Sequence, residues 1–270
     1  MASLTRRFAL AATALAFLLL VMPALASAAI TVTNTNDTGA GSLRAAITTA
    51  NGSPTVATTI NFSVSGTITL GSALPAIANS SPNGSLTIDG SGQAITVYGV
   101  SSYQIFSVNS GATLNLRNLT INDGLATDGG GADNAGILTV TNCTFSDNFA
   151  DLGGGIDNEV GGTLTVTNTT FAGNVTPNGL GGGISNDGGM TVTNSTFSNN
   201  STGGGEGGGI YSDTMLTVTN STFSGNSATG GLGGGGIQRR RRDAEGQRSG
   251  RRIRWELRFF LSDRRRLQHL

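Results

Sequence analysis

The residues of this sequence whose type and spacing could perform chemistry are two pairs of aspartates. Asp133 and Asp157 occupy matching places in adjacent repeats of the chain, and Asp123 and Asp147 form a second such pair. If the repeats stack as parallel coils, the members of each pair lie about 4.8 Å apart, which is one strand spacing. That separation is close to the roughly 5–5.5 Å between the carboxyl groups of a retaining glycoside hydrolase.

The same four carboxylates are also candidate ligands for Ca²⁺, because this ion takes several oxygen ligands. The nonapeptide repeat that binds Ca²⁺ in other β-helices is absent, and residues 153–157 match only a fragment of it. Three interpretations stay open: a solvated acidic face, a Ca²⁺ site and a catalytic pair. We expect the solvated face, and therefore no catalytic residue, no cofactor-binding residue and no bound metal.

A 26-residue repeat must position these side chains. The period is carried by one set of phenylalanines and two sets of asparagines, namely Phe145, Phe171, Phe197 and Phe223, then Asn142, Asn168, Asn194 and Asn220, then Asn148, Asn174, Asn200 and Asn226. A fixed period of this size indicates a solenoid. A looser set of isoleucines follows the glycine runs, at Ile156, Ile184, Ile210 and Ile237.

The residue pattern within each repeat predicts three short strands. Leu216 and Val218 alternate with threonine, which is the period-two pattern of a half-buried strand. A bend near Asn220 allows Phe223 on the next strand to point inward, because asparagine suits such a corner. The third strand follows the glycines. No coil can bury its apolar face alone, so the coils must stack, with phenylalanine on phenylalanine and asparagine on asparagine.

The first part of the mature chain is less regular. Residues 41–51 predict a short helix with Ser42 as its N-cap, and its apolar side chains fall on one face, at Leu43, Ala46, Ile47 and Ala50. Such a helix can cover the open first coil. We therefore divide the chain into residues 29–111, which hold this cap and irregular first coils, and residues 112–237, which hold the regular repeats.

Residues 1–28 have the pattern of a secretory signal peptide. Arg6 and Arg7 precede an apolar run over residues 8–22, and small residues near position 26 offer a cleavage site. The apolar run is short for a membrane span. The prediction is an exported bacterial protein, secreted or held at the cell surface, with no transmembrane segment after cleavage.

Charge and cysteine content exclude some functions. Residues 29–237 hold two arginines, Arg44 and Arg117, no lysine and twelve acidic residues, for a net charge of about −10. An acidic body of this kind argues against nucleic-acid binding. Cys143 is the only cysteine and replaces a threonine or serine of the other repeats. We interpret it as a small turn residue.

The composition changes abruptly after Ile237. Residues 238–270 hold twelve arginines and four acidic residues, and the expected strand with alternating leucine and valine does not follow. In a reading frame shifted by one base, codons for residues 253–256 permit Phe-x-Gly-Asn, which is the pattern at 223–226. The hypothesis is a frameshifted, disordered tail; a basic tail that binds membrane or nucleic acid is the alternative.

The repeat resembles that of right-handed parallel β-helix proteins of bacterial surfaces, in particular those with polymorphic-outer-membrane-protein-like repeats. Thr-Phe-Ser-Gly-Asn-Ser at 222–227 and Gly-Gly-Gly-Ile at 181–184 and 207–210 carry the resemblance, and the segment 36–47 resembles the start of many secreted bacterial β-helix proteins. The resemblance implies an all-β parallel β-helix, which is also the fold of pectate lyases. It further implies an outer-membrane or secreted protein for which adhesion is the expected role.

We therefore expect an exported, non-catalytic β-solenoid that is structural or adhesive, with glycans or a host or neighbouring cell surface as partners. The alternative is a carbohydrate-active enzyme, similar to polysaccharide lyases or hydrolases, or a carbohydrate-binding β-helix. The near absence of histidine, lysine and arginine from residues 29–237 argues against the enzyme.

Overall fold

The structure, a computed structural model, describes residues 28–79, 84–230 and 233–238. The described residues form one helix and 24 strands. In chain order these are β1 (Ala28–Val32), α1 (Leu43–Asn51), β2 (Thr58–Phe62), β3 (Gly66–Thr69), β4 (Leu86–Asp89), β5 (Ile95–Tyr98), β6 (Phe106–Val108), β7 (Thr113–Arg117), β8 (Leu119–Asn122), β9 (Ala132–Asn134), β10 (Ile137–Thr141), β11 (Thr144–Ser146), β12 (Ile156–Asn158), β13 (Thr163–Thr167), β14 (Thr170–Ala172), β15 (Val175–Thr176), β16 (Ile184–Asn186), β17 (Gly189–Thr193), β18 (Thr196–Ser198), β19 (Ser201–Thr202), β20 (Ile210–Ser212), β21 (Leu216–Thr219), β22 (Thr222–Ser224), β23 (Ser227–Ala228) and β24 (Gly236–Gln238).

The strands form four parallel sheets that run along one solenoid of about eight turns. The first sheet contains β1, β2, β4, β7, β10, β13, β17 and β21, and the second contains β3, β5, β8, β11, β14, β18 and β22. The third contains β6, β9, β12, β16, β20 and β24, and a small fourth sheet contains β15, β19 and β23. The predicted parallel β-solenoid is confirmed, and the fourth sheet is an addition that the sequence pattern did not predict.

Alternation along the strands builds the core. In β13, Leu164 and Val166 are fully buried while the threonines between and beside them face outward. The chain turns into the second sheet at the predicted asparagines, each with a left-handed φ of 49° to 54°, namely Asn142, Asn168, Asn194 and Asn220. Asparagine tolerates this conformation better than most residues. The corner therefore restores the inward direction of the phenylalanine that follows.

The phenylalanines stack inside the second sheet, as predicted. The ring centroids of Phe145 and Phe171 lie 5.1 Å apart, and those of Phe171 and Phe197 lie 4.8 Å apart. Phe197 and Phe223 repeat the 4.8 Å separation with an interplanar angle of 5°. In the earlier coils the same column continues with Ile121, Val97 and Ile68.

An asparagine ladder follows the phenylalanines. Asn148 Nδ2 donates to Asn174 Oδ1 at 2.9 Å, Asn174 Nδ2 to Asn200 Oδ1 at 2.8 Å, and Asn200 Nδ2 to Asn226 Oδ1 at 2.9 Å. Each of the same oxygens also accepts the backbone N–H of the preceding asparagine, at 3.0 or 3.1 Å. Buried amides of this kind are stable only when their polar atoms are paired, and this ladder pairs them.

The other predicted asparagine column behaves differently. At the corners, Asn142 Nδ2 donates to Asn118 Oδ1 at 3.3 Å, but no such bond joins the later corner asparagines among the described residues. A second buried ladder instead lies on the third sheet, where Asn134 donates to Asn158 and Asn158 to Asn186, both at 2.6 Å.

The glycine runs are explained by close approach of successive coils. A Cβ on Gly155 would lie 2.6 Å from the carbonyl oxygen of Gly183 and 3.0 Å from the ring of Phe171. A Cβ on Gly183 would lie 2.5 Å from the carbonyl oxygen of Gly209. Any larger residue would therefore push the stacked coils apart.

The predicted helix is present and covers the first coil. Ser42 caps it by accepting a hydrogen bond from the backbone N–H of Ala45 at 3.2 Å. The four residues predicted to share its apolar face are buried. Arg44 ties the helix to the neighbouring loop, because it forms an ion pair with Asp37 at 2.5 Å and donates to the carbonyls of Ser72 and Ala73.

One expectation of register is wrong. The sequence pattern aligns Ile237 with Ile210, but in the structure Gly236 pairs with Ile210 and Ile237 pairs with Tyr211. The glycine run before Ile237 is one residue longer than the earlier runs, and its last glycine takes the place of the isoleucine. Ile210 and its partner Gly236 therefore keep the 26-residue spacing. The predicted signal peptide and the predicted frameshifted tail lie outside the described residues, apart from residues 28 and 238, and both stay predictions.

Candidate functional site

The structure brings the first predicted aspartate pair together on the third sheet. Asp133 of β9 and Asp157 of β12 are direct partners in the register of these parallel strands. Their neighbours in the same row are Ser107 and Ser185. The two carboxyl groups therefore project from adjacent strands, and one strand spacing of about 4.8 Å separates their backbones.

Both carboxyl groups lie in a partly dry environment that favours their neutral forms. Burial raises the pKa of Asp133 to about 7, and the nearby carboxylates of Glu159 and Asp128 act in the same direction. Burial also raises the pKa of Asp157 to about 7, against a hydrogen bond with Ser185 that lowers it. Only 6% of Asp157 is exposed, and Asp133 Oδ1 is a buried atom without a hydrogen-bond partner in the described part of the chain.

A shallow groove of about 270 Å³ is lined by Asp157 of this pair, and we call it the acidic groove. Its lining residues come from the third sheet and the turns beside it, namely Asp128, Leu152, Asp157, Glu159, Val160 and Asp187. Sequence reasoning missed Glu159, Asp128 and Asp187. The signal that could have found two of them is their recurrence, because Glu159, Asp187 and Asp213 each follow a strand of the third sheet at the same 28- and 26-residue steps as Ile156, Ile184 and Ile210.

Cations lie elsewhere in the described residues. Arg44 is engaged by Asp37 beside α1, and Arg117 ends β7 on the first sheet. Among the described residues, no group of three or more histidine, cysteine, aspartate or glutamate side chains is placed to hold a metal ion. The acidic groove therefore collects several carboxyl groups, and the pKa of one of them, Asp157, is raised to about 7.

The second predicted pair lies at another edge and has other partners. Asp123 and Asp147 follow β8 and β11 with φ values of 57° and 56°. Asp123 Oδ1 accepts a hydrogen bond from Ser101 Oγ at 2.6 Å, and its bond with Tyr98 raises the pKa of that phenol. Asn122 Nδ2 lies 3.4 Å from Asp147 Oδ2. These aspartates act as polar corner residues.

Cys143 lies at the corner position that the sequence predicted for it. Its thiol is buried, and Sγ donates to the carbonyl of Thr141 at 3.4 Å. Thr169 and Ser195 make the same contact with the residue two positions earlier in their own coils, each at 2.9 Å. Burial raises the pKa of the Cys143 thiol to about 11, so it is not activated as a nucleophile.

Two further properties bear on function. A second open depression of about 250 Å³ lies on the outer face of the second sheet and is lined mainly by uncharged residues such as Thr96, Thr120 and Thr144. In the described residues no helix is long and apolar enough to cross a membrane.

Comparisons with known proteins match a short segment of the chain to a family model and a larger part of it to a solved structure. A family model for the Chlamydia polymorphic membrane protein repeat matches residues 194–213, which include β18, β19 and β20. The structure of jun a 1, the major allergen from cedar pollen, is similar at 19% sequence identity and a TM-score of 0.44, over 71% of this chain and 64% of the allergen chain. The chain thus spans less than two thirds of the allergen's length. No curated protein matches the sequence significantly. The chain is a parallel β-solenoid in which residues 194–213 are similar to the Chlamydia polymorphic membrane protein repeat.

Proposed function

We propose that the protein is an exported, non-catalytic β-solenoid that serves as a structural or adhesive surface outside a bacterial cell. The observation that carries the proposal is the match of residues 194–213 to a repeat named for membrane proteins. The matched segment makes most of one coil, and its phenylalanine and asparagine columns continue through the neighbouring coils. The surface role is therefore assigned to the stacked coils as a unit.

The outer side of the first sheet supports an adhesive role. Two rows of threonines follow its strands, and we call them the threonine face: Thr139, Thr165, Thr191 and Thr217 in one row, and Thr141, Thr167, Thr193 and Thr219 in the other. The eight side-chain hydroxyls make no hydrogen bond with other described residues. They are free to bond to an external partner.

The spacing of these hydroxyls suits a repetitive partner. Within a row they recur at about 4.8 Å, and between rows at about 6.6 Å along the strand. Single hydroxyl contacts are weak, because each replaces a hydrogen bond to water. Many contacts made at once by a polymer raise the overall affinity, so glycans are the partner class that we assign to the threonine face.

Export and binding of the full chain test the proposal. We expect the protein in the medium or at the cell surface when residues 1–28 are intact, and in the cytoplasm when residues 2–22 are deleted. On a glycan array, Thr165→Lys with Thr191→Lys should abolish binding. The matched pair Thr170→Lys with Thr196→Lys, on the second sheet, should leave it intact. Cytoplasmic retention of the intact chain, or array binding that both variant pairs keep, would contradict the proposal.

A carbohydrate-active enzyme is the second candidate, and the Asp133–Asp157 pair favours it. Two neighbouring carboxyl groups with pKa values of about 7 could supply a general acid at neutral pH. The described residues place no cation in the acidic groove to stabilise developing negative charge, which argues against a lyase. Turnover of polygalacturonate or another polysaccharide, lost in Asp157→Asn, would establish the enzyme and reject the non-catalytic function.

A further inference from the structure

The threonine face repeats in two directions. The strands β10, β13, β17 and β21 each present two outward threonines two residues apart, and the register places each threonine beside its equivalent in the next coil. Neighbours within a row are therefore about 4.8 Å apart, and the two rows are about 6.6 Å apart. A single polymer chain repeats in one direction only, so the face as a whole matches a partner that is itself a two-dimensional lattice.

The face is uniform and uncharged over these four coils. Their strands on the first sheet hold no charged residue, and none of the eight threonine hydroxyls is hydrogen-bonded within the described part of the chain. In the earlier coils the same rows hold Asp89, Asn115 and Arg117, and Asn115 Nδ2 donates to the hydroxyl of Thr87 at 3.2 Å. The free hydroxyls and their methyl groups thus form one patch that begins at β10.

The threonine face is also held firmly from beneath. The residues between its paired threonines, Val140, Val166 and Val192, are fully buried. Threonine is β-branched and stiff about χ1, so the hydroxyls of one row can share one orientation. Flat sheets of many strands are typically stabilised by stacking and by side-chain ladders, and the asparagine ladder from Asn148 to Asn226 is such a ladder. A face that is ordered in advance loses little entropy when it binds a rigid partner.

We propose that the threonine face binds ice, a ligand class beyond the glycans assigned to it above. The oxygen atoms on a prism face of hexagonal ice repeat in two perpendicular directions, with a shorter and a longer spacing similar to those of the two rows. Each hydroxyl can take the place of a lattice water, because it both donates and accepts hydrogen bonds. One such contact contributes little, since it replaces a bond to liquid water. The contacts of eight hydroxyls form together and therefore add up.

The second sheet presents threonines without the two complete rows. Two rows face outward there, namely Thr144, Thr170, Thr196 and Thr222 in one, and Ser146, Ala172, Ser198 and Ser224 in the other. The second of these rows is interrupted by an alanine and otherwise holds serine, whose hydroxyl rotates more freely because serine is not β-branched. Ice binding is therefore assigned to the first sheet, and the second sheet supplies a matched control on the same coils.

Partition of the purified full chain into slowly growing ice tests the inference. We expect the protein to be several-fold enriched in the ice over the remaining liquid, and to lower the freezing temperature of a seeded crystal below its melting temperature. Thr165→Lys with Thr191→Lys should abolish both effects. Thr170→Lys with Thr196→Lys, on the second sheet of the same coils, should leave both unchanged. Circular dichroism and the melting temperature show whether each variant is folded.

A serine pair separates ice binding from glycan binding. Thr165→Ser with Thr191→Ser keeps both hydroxyls but removes the methyl groups that fix their orientation, so the gap between melting and freezing should shrink by more than about half. Binding of the same variant on the glycan array should persist.

The outcomes distinguish this inference from the proposed function. Exclusion of the unaltered chain from ice, or equal enrichment of the folded variant that carries lysine at 165 and 191, would overturn ice binding and leave glycan binding standing. Retention on crystalline cellulose together with exclusion from ice would also overturn it, and would assign the threonine face to a crystalline polysaccharide. Enrichment in ice without any glycan binding would support the inference and reject only the glycan assignment.

Discussion

The early coils and the regular coils fill the interior of the solenoid with different side chains. In the second sheet the inward column is Ile68, Val97 and Ile121 in the early coils, and it becomes stacked phenylalanines from Phe145 onward. Polar support changes at the same place. Asn79 of the early part donates to the carbonyl of Ala50 at 3.2 Å and leaves its buried Oδ1 without a described partner, whereas Asn174 is part of a ladder.

The difference shows what a strict repeat contributes. Where successive coils carry the same side chains, each coil can adopt the same rotamers and make the same hydrogen bonds to the next coil, as in the asparagine ladders of stacked sheets. Where the repeat is irregular, individual contacts must hold the coils, such as the ion pair of Arg44 with Asp37 and the cap of α1. We therefore expect the regular coils to be the more stable part of the solenoid.

The largest expected effect is the loss of a stacked ring. Phe197→Ala removes an aromatic side chain that is fully buried between two others, so we expect the free energy of unfolding to fall by about 3–5 kcal/mol. Val97→Ala, at the same column position in the early coils, should cost about 2 kcal/mol. Thr193→Ala on the threonine face should change it by less than about 0.5 kcal/mol. Urea denaturation measures all three, and equal costs would refute the inward column.

The asparagine ladder gives the next largest effect. Asn174→Ala removes hydrogen bonds to Asn148, Asn200 and the carbonyl of Phe145, and it leaves buried polar groups unpaired. The expected cost is about 2–3 kcal/mol. Asn79→Ala should cost about 1 kcal/mol, because that side chain makes one described hydrogen bond. A smaller loss for Asn174→Ala than for Asn79→Ala in the same denaturation assay would contradict the comparison.

The raised pKa values of Asp133 and Asp157 determine how stability should depend on pH. The folded pKa of Asp133 and of Asp157 is about 7, above the ordinary value of 3.8. The folded state therefore binds more protons between these values, and the stability that both groups contribute at acidic pH is lost as the pH rises from about 4 to about 7. Asp133→Asn combined with Asp157→Asn should raise the melting temperature at pH 8 by about 4–8 °C and change it little at pH 4. Equal effects at both pH values would show that the groups titrate normally.

Asp89 of the early coils provides the opposite case. Burial raises its pKa, but hydrogen bonds from Ser91 and Asn118 outweigh burial, and the net pKa lies below 3.8. Its contribution to stability is therefore lost on acidification rather than on a rise in pH. Asp89→Asn should lower the melting temperature at neutral pH, and this loss should shrink as the pH falls below about 3.8. A loss that is constant across the same titration would indicate a packing effect instead.

The smallest expected effect is that of Ca²⁺. Because the four aspartates form two separate pairs and the described residues hold no cluster of three metal ligands, Ca²⁺ at millimolar concentration should leave the melting temperature unchanged. A ligand that binds only the folded state raises that temperature by mass action. A clear rise with Ca²⁺, absent with Na⁺ at equal ionic strength and lost in Asp157→Asn, would restore the calcium interpretation.

Much of the fold could be predicted from the sequence because the same pattern of inward, corner and turn residues recurs in several coils. The inward set of Leu164, Val166 and Phe171, the corner at Asn168 and the cap at Ser42 each follow from local chemistry and are confirmed. The pairing at Ile237 could not be predicted, because a run of four glycines can shift by one residue against the preceding coil without a side-chain clash.

The candidate site was predictable only in part. The row of Asp133 and Asp157 follows from the period, since in-register coils place equivalent residues side by side. The carboxylate of Asp128 comes from a turn whose path depends on contacts between coils, and the burial that raises both pKa values depends on the same contacts. Neither the turn path nor the burial is encoded in the spacing of residues along the chain.

Residue-resolved native-state hydrogen exchange is the most direct test of the central claim that the repeated ladders make the regular coils the stable part. At low protein concentration, the backbone amides of β10, β11, β13 and β14 should exchange slowest and with one common opening free energy. Those of β2 to β5 should exchange faster, through openings of lower free energy. Protection in β2 to β5 that equals or exceeds that of the regular coils would contradict the account.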